Sequence, residues 1–348
     1  MQAGQAQQQL SPAQRAELFA VHTRQHIMEL PALMGLGPDR SVSFALPKVR
    51  LLAKVSLVVE GTLTIGTAVA TAVARYAPYS ILRRVQLSIN NGFNPVTLSG
   101  GETYLTNIAR HNGNVFKPGE GNERTVAPGL TIGSHPFRFT AEYPITLNER
   151  EAIGLILLQN EETVVTATID IGPLASLVTP GGSTVLGVTD FRITPVLETF
   201  SIPAVPQAFP DISILKLQQS QVQEAPTSGV MTIRLPVGTT YRKIFLDCGD
   251  MVLTTPIELV LNQADTPYSI TPRYLRAKNE EMYGDEMPAN VYALDFSYQG
   301  IADLGGLRDY IDTERLTEFW IRFTVPAGAS GRQVTAIFET LSRLRPAM

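Results

Sequence analysis

Cysteine is nearly absent from this 348-residue chain: Cys248 stands alone. No intrachain disulfide can form, so covalent cross-links do not hold the fold. Cys248 alternates with Ile244 and Leu246 and is read as core rather than as a reactive thiol. Histidine is scarce as well. His22, His26, His111 and His135 are the full set. A metalloenzyme built on two β-barrels of the cupin kind needs a His-x-His pair and a later His in each half, and the second half has none. His22 and His26 are four apart but lack the adjacent glutamate of a zinc-protease helix. Gly-x-Ser-x-Gly is missing, and no glycine-rich loop ends in Lys-Ser/Thr. The chain therefore calls for no metal, no cofactor and no enzymatic chemistry. The carboxylate pairs Glu161-Glu162, Glu280-Glu281 and Asp285-Glu286 read as solvated side chains, not as a glycosidase site. Trp320 is the single tryptophan, which argues against a stacking platform for sugars. Charged residues make up only 17%, against the usual roughly 25%. That deficit fits a surface partly covered by partners. The net charge of −4 gives no general pull toward nucleic acid, and none is expected as a specific partner. Long apolar spans are lacking too: residues 51–74, the most apolar stretch, carry Lys54, Glu60 and threonines. The N-terminus has no basic segment followed by an apolar block, so the expectation is a soluble chain made in a cytoplasm.

What is present begins with a Gln/Ala/Gly-rich start, 1–10, and then SPAQRAELFAVHTRQHIMEL. Ser11 is a good N-cap and Pro12 suits the first helical turn, predicting a helix over about 11–30. Leu18, Phe19 and Ile27 give it a packing side; Arg15, His22 and Arg24 give it a basic one. Beyond residue 40 the apolar period falls from 3.6 to 2. Residues 85–90, 165–171, 231–235, 257–261 and 319–325 alternate as half-buried strands do, and turns such as Asn90-Asn91-Gly92 and Pro180-Gly181-Gly182 separate them. Two short helices interrupt the pattern, at 100–113 and 271–284. Pro203, Pro206 and Pro210 mark a stiff linker between halves.

The halves repeat. VQLSIN, 85–90, is answered by IELVLN, 257–262. Each leads into a turn and a helix carrying Tyr-Leu, at Tyr104 and Tyr274, and the halves close on VLETFS, 196–201, and IFETLS, 337–342. The resulting division is an arm at 1–40, a first domain at 41–202, a linker at 203–210 and a second domain at 211–348. Each domain has the length of an eight-stranded antiparallel jelly roll with one inserted helix.

On LSPAQRAEL, PDRSVSF, RLLAKVSLVVEG, ARYAPYSILRRVQLSIN, GGETYLTNIARHNG and the closing VTAIFETLSRL, the chain resembles the double-jelly-roll major capsid proteins of tectivirus-like phages, which are tailless and icosahedral with an internal membrane. The resemblance implies an all-β fold of two tandem jelly rolls with an N-terminal helical arm. It also implies a non-enzymatic coat protein found in the virion, and in host cytoplasm before assembly. Its partners would be two further copies in a trimeric, pseudo-hexagonal capsomer, then neighbouring capsomers and other coat proteins. The arm would face the internal viral membrane through Arg15, His22 and Arg24. The competing reading is a carbohydrate-binding or carbohydrate-cleaving β-sandwich protein.

Overall fold

A computed structural model describes residues 12–66, 72–90, 92–111, 132–147, 153–179, 185–210, 212–263, 265–284, 287–297 and 310–343. The Gln/Ala/Gly-rich start, the turn at 180–182 and the carboxylates at 285–286 lie outside these residues. Helix α1 (Pro12–His22) precedes the first barrel. That barrel comprises β1 (Gln25–Glu29), β2 (Ser41–Ala45), β3 (Leu51–Ile65), β4 (Ala72–Val73), β5 (Leu82–Ile89), β6 (Phe93–Leu98), α2 (Gly100–Arg110), β7 (Gly133–Pro144), β8 (Ile156–Leu157), β9 (Val165–Ile171), β10 (Val178–Thr179) and β11 (Leu186–Phe200). The second comprises β12 (Ile214–Glu224), β13 (Gly229–Leu235), β14 (Thr240–Asp247), β15 (Ile257–Leu261), β16 (Asp265–Ile270), α3 (Pro272–Tyr283), β17 (Val291–Asp295), β18 (Ile311–Asp312), β19 (Phe319–Val325) and β20 (Gln333–Arg343).

The main strands of each half fall into two four-stranded layers with one topology. In the second half the orders are β12-β20-β14-β17 and β13-β19-β15-β16; in the first they are β1-β11-β3-β7 and β2-β9-β5-β6. These are two eight-stranded jelly rolls. The second barrel is filled by Tyr241, Phe319 and Phe338, stacked edge to face or tilted. Cys248 joins that core, where burial pushes its thiol up to about 12.

The first barrel starts earlier than the sequence suggests. The helix ends at His22, not near Pro31. Thr23 Oγ1 donates to Phe19 O at 2.6 Å, and residues 25–29 leave the helix to pair antiparallel with β11. Ladder bonds to a strand more than 160 residues away outweigh a weak local helical preference.

The repeat is visible atom by atom. Asn90 and Asn262 both have positive φ, at 51° and 48°. Asn90 N–H donates to Val164 O, and its side-chain oxygen accepts from Val164 N–H; Asn262 does the same with Glu318. Each hairpin then enters a helix capped by a hydroxyl, Ser99 or Thr271. Ser99 and Glu102 cap each other reciprocally. Inside each helix is a buried asparagine. Asn279 donates to Ala293 O and accepts from Ala293 N–H, both at 2.8 Å. Asn107 grips Glu142 O and N–H at 3.0 and 3.1 Å in the amide orientation its neighbours require. Caps and asparagines share the 172-residue spacing of the hairpins. The Tyr-Leu match at 170 residues is therefore out of register: Tyr104 is buried, whereas Tyr274 is 62% exposed.

Candidate functional site at the barrel junction

The outer face of β12, β20 and β14 alternates charged and apolar residues and looks like a solvent face in sequence. It is covered by the first barrel. β12 runs parallel to β6 through Gln218–Val96 and Gln219–Thr97, which joins the layers into one nine-stranded sheet. Parallel pairing stands both barrels the same way up. Leu105 of α2 shares a core with Phe245 and Ile337 of the second barrel. At one end Tyr76 Oη donates to Asp247 at 2.7 Å, and Arg75 reaches Asp247 and the carbonyls of Gly249 and Ala289. Two leading glycines seat α2 tightly on its own barrel: a Cβ at Gly100 would lie 1.7 Å from Tyr79 O.

At the other end of the junction lies a cleft of about 500 Å³, lined by Arg110, His111, Lys216, Gln218, Arg242 and Glu339 among others. Glu339 accepts from Arg242, lies 3.6 Å from Lys216 Nζ and accepts from Gln218 at 3.3 Å. Burial alone would raise the Glu339 pKa, but Lys216 and then Arg242 outweigh it and hold the carboxyl down at about 2. Burial also drives Lys216 down to about 8, against the pull of Glu339. A parallel cluster sits on the first barrel: Lys54 contacts Glu198 at 2.6 Å and Glu142 at 3.5 Å, and Glu142 also meets Arg110 and His111. Burial works against the Glu142 charge, yet these neighbours hold it at about 2. Glu198 and Glu339 are the glutamates of VLETFS and IFETLS. They occupy one position of the fold, and each sits opposite a lysine, Lys54 or Lys243, on the next strand.

The arm residues do not form one surface. Phe19 is buried edge-on against Phe200, beside Leu51 and Leu155. Leu18 and Arg15 are half-buried, while His22 and Arg24 are exposed. Ile27 corrects its expected packing role: on β1 its side chain points outward, 70% exposed, and Met28 points in. Strand geometry sends neighbouring side chains to opposite faces, which a helical reading could not anticipate.

Among the described residues no group of three His, Cys, Asp or Glu side chains could hold a metal. Glu280 and Glu281 are spent on Arg276 and Lys278. Trp320 lies half-buried on β19, with Arg234 above its ring at 5.6 Å. No described helix is long and apolar enough to cross a membrane.

No protein-family model and no curated protein matches the chain. Solved structures do. The STIV major capsid protein aligns over 92% of this chain and 97% of its own, at 13% identity and a TM-score of 0.68. A chain of the PBCV-1 virus capsid aligns over 92% and 93%, at 11% identity and TM-score 0.63. The major capsid protein P2 from Bacteriophage PM2 aligns over 92% and 98%, at 12% identity and TM-score 0.54. All are double-jelly-roll major capsid proteins. Over the aligned 92% the chain has their fold: an all-β double jelly roll.

Proposed function

We propose that this protein is a major capsid protein, acting by assembly through buried surface rather than by catalysis. The observation that carries the reading is the junction. Two like barrels stand in the same sense, joined by a continuous sheet and a charged, packed seam. Such a unit supplies two similar wedges, and three copies supply six. The chain would therefore form a homotrimeric, pseudo-hexagonal capsomer of an icosahedral virion, gathered with neighbouring capsomers and other coat proteins after synthesis in host cytoplasm. Similar structures come from archaeal, giant-virus and phage sources, so the tectivirus-like assignment rests on the sequence motifs alone. Permanent trimer contacts should bury more than roughly 2,000 Å². Native mass spectrometry and negative-stain images test this. The expected result is a particle of three 37.9 kDa chains that persists on dilution, and a stable single chain at micromolar concentration would overturn it.

The arm extends the proposal to an internal membrane. Arg15 and Arg24 would each gain about 1 kcal/mol near an anionic surface, with His22 exposed beside them, enough to help dock a many-copy shell. Replacing all three by serine should leave capsomers folded and abolish their salt-sensitive cosedimentation with phosphatidylserine vesicles. Unchanged cosedimentation would refute the role. Point substitution is the right design, because deleting residues 1–30 would also remove β1 from its sheet.

A further inference from the structure

Inside the chain, one helix face is docked on one sheet face, and among the described residues the repeat leaves a second copy of each exposed. The face of α2 turned away from its own barrel carries Glu102, Leu105, Thr106 and Ala109. It is set against the outer face of the second barrel. Glu102 hydrogen-bonds to Ser220, Leu105 shares a core with Phe245 and Ile337, and Thr106 and Ala109 line the cleft beside Gln218. The corresponding residues of α3, 172 later, are Tyr274, Ala277, Lys278 and Glu281, and all four are exposed. Strand register identifies the corresponding sheet face on the first barrel. Ile337 corresponds to Val196, Gln218 to Ile27 and Ser220 to Glu29. Ile27 is 70% exposed there, and Glu29 is exposed beside it.

We infer that the Tyr274 face of α3 in one copy docks on the Ile27–Glu29–Val196 face of β1 and β11 in the next, repeating between chains the contact α2 makes within one. The inference rests on the trimer reading and adds its surfaces. Helix and sheet lie on opposite barrels, so the contact is head-to-tail. A head-to-tail contact closes after three chains when it and the internal one each turn by a sixth of a circle. The chemistry is complementary. The Glu102–Ser220 contact becomes Tyr274 on Glu29, a hydroxyl donor on a carboxylate. Lys278, replacing Thr106, arrives over Ile27, where Gln218 stands in the internal contact.

The test is a charge reversal read by native mass. Tyr274→Asp places a carboxylate against Glu29 and should weaken the three-chain particle about 30-fold or more, as hot-spot losses do. Circular dichroism of the chain should not change, because Tyr274 is exposed on the single chain, and melting should fall only by what the lost assembly contributes. Adding Glu29→Lys to the same chain should restore the particle. A three-chain wild type whose Tyr274→Asp variant still assembles normally overturns the docking, as does a double variant that stays apart. A single-chain wild type overturns the trimer itself.

Discussion

Glu339→Gln should lower the unfolding free energy by about 3–5 kcal/mol at pH 7, because it leaves Lys216 and Arg242 buried without their carboxylate. Equilibrium denaturation in urea reads the loss. Pairing the change with Lys216→Met should return much of it, since a buried ion pair exchanged for apolar volume is often near neutral. A double variant no more stable than the single one would show that the cluster is not coupled. The same groups set the acid response. Glu142 and Glu339 have folded pKa values of about 2, below the ordinary 4.5. Depressed carboxylates give stability that is present above the unfolded value and lost as pH falls through the folded one. Denaturation midpoints should therefore drop steeply between pH 4.5 and 2, and less so in the double variant. Lys216 has the opposite-side signature. Lowered to about 8 from 10.5, it binds fewer protons folded than unfolded, so it adds a rise in stability between those values that Lys216→Met should erase.

Asn279→Ala is the second large effect. The side chain is completely buried, and it alone satisfies both backbone groups of Ala293 on β17, an edge strand of its sheet. Among the described residues no further strand stands beyond β17. Each orphaned buried group costs about 1–3 kcal/mol, so the loss should be about 2–6 kcal/mol. Amide exchange should accelerate locally at Ala293, and Asn107→Ala should do the same at Glu142. Protection unchanged at Ala293 would show that the amide is not what holds the edge.

Strand alternation and the two ETxS endings carried the doubled fold, because both are local and periodic. The asparagines were equally present, 172 residues apart, but a polar residue in a helix ordinarily signals a solvent face. Only tertiary packing shows that they clamp an edge. β1 was hidden for a different reason. Ile27 and Met28 are adjacent apolar residues, which suit a helix as well as a strand, and the partner that decides is β11. Lys216, Gln218, Arg242 and Glu339 escaped notice because alternating charge on a strand predicts water outside. The other barrel lies there instead. The exposed basic arm residues were legible as a group in sequence, whereas their spread over a helix end and a loop was not.

The parallel seam between β6 and β12 has a mechanical consequence. The proline linker is packed beside Phe19 and Leu51, and load passing from one barrel to the other also runs through backbone hydrogen bonds and the wedge of α2. Among the described residues the two barrels are braced together as one tile. Any curved surface tiled with it must take up its bending at the grout lines between tiles, and none within them.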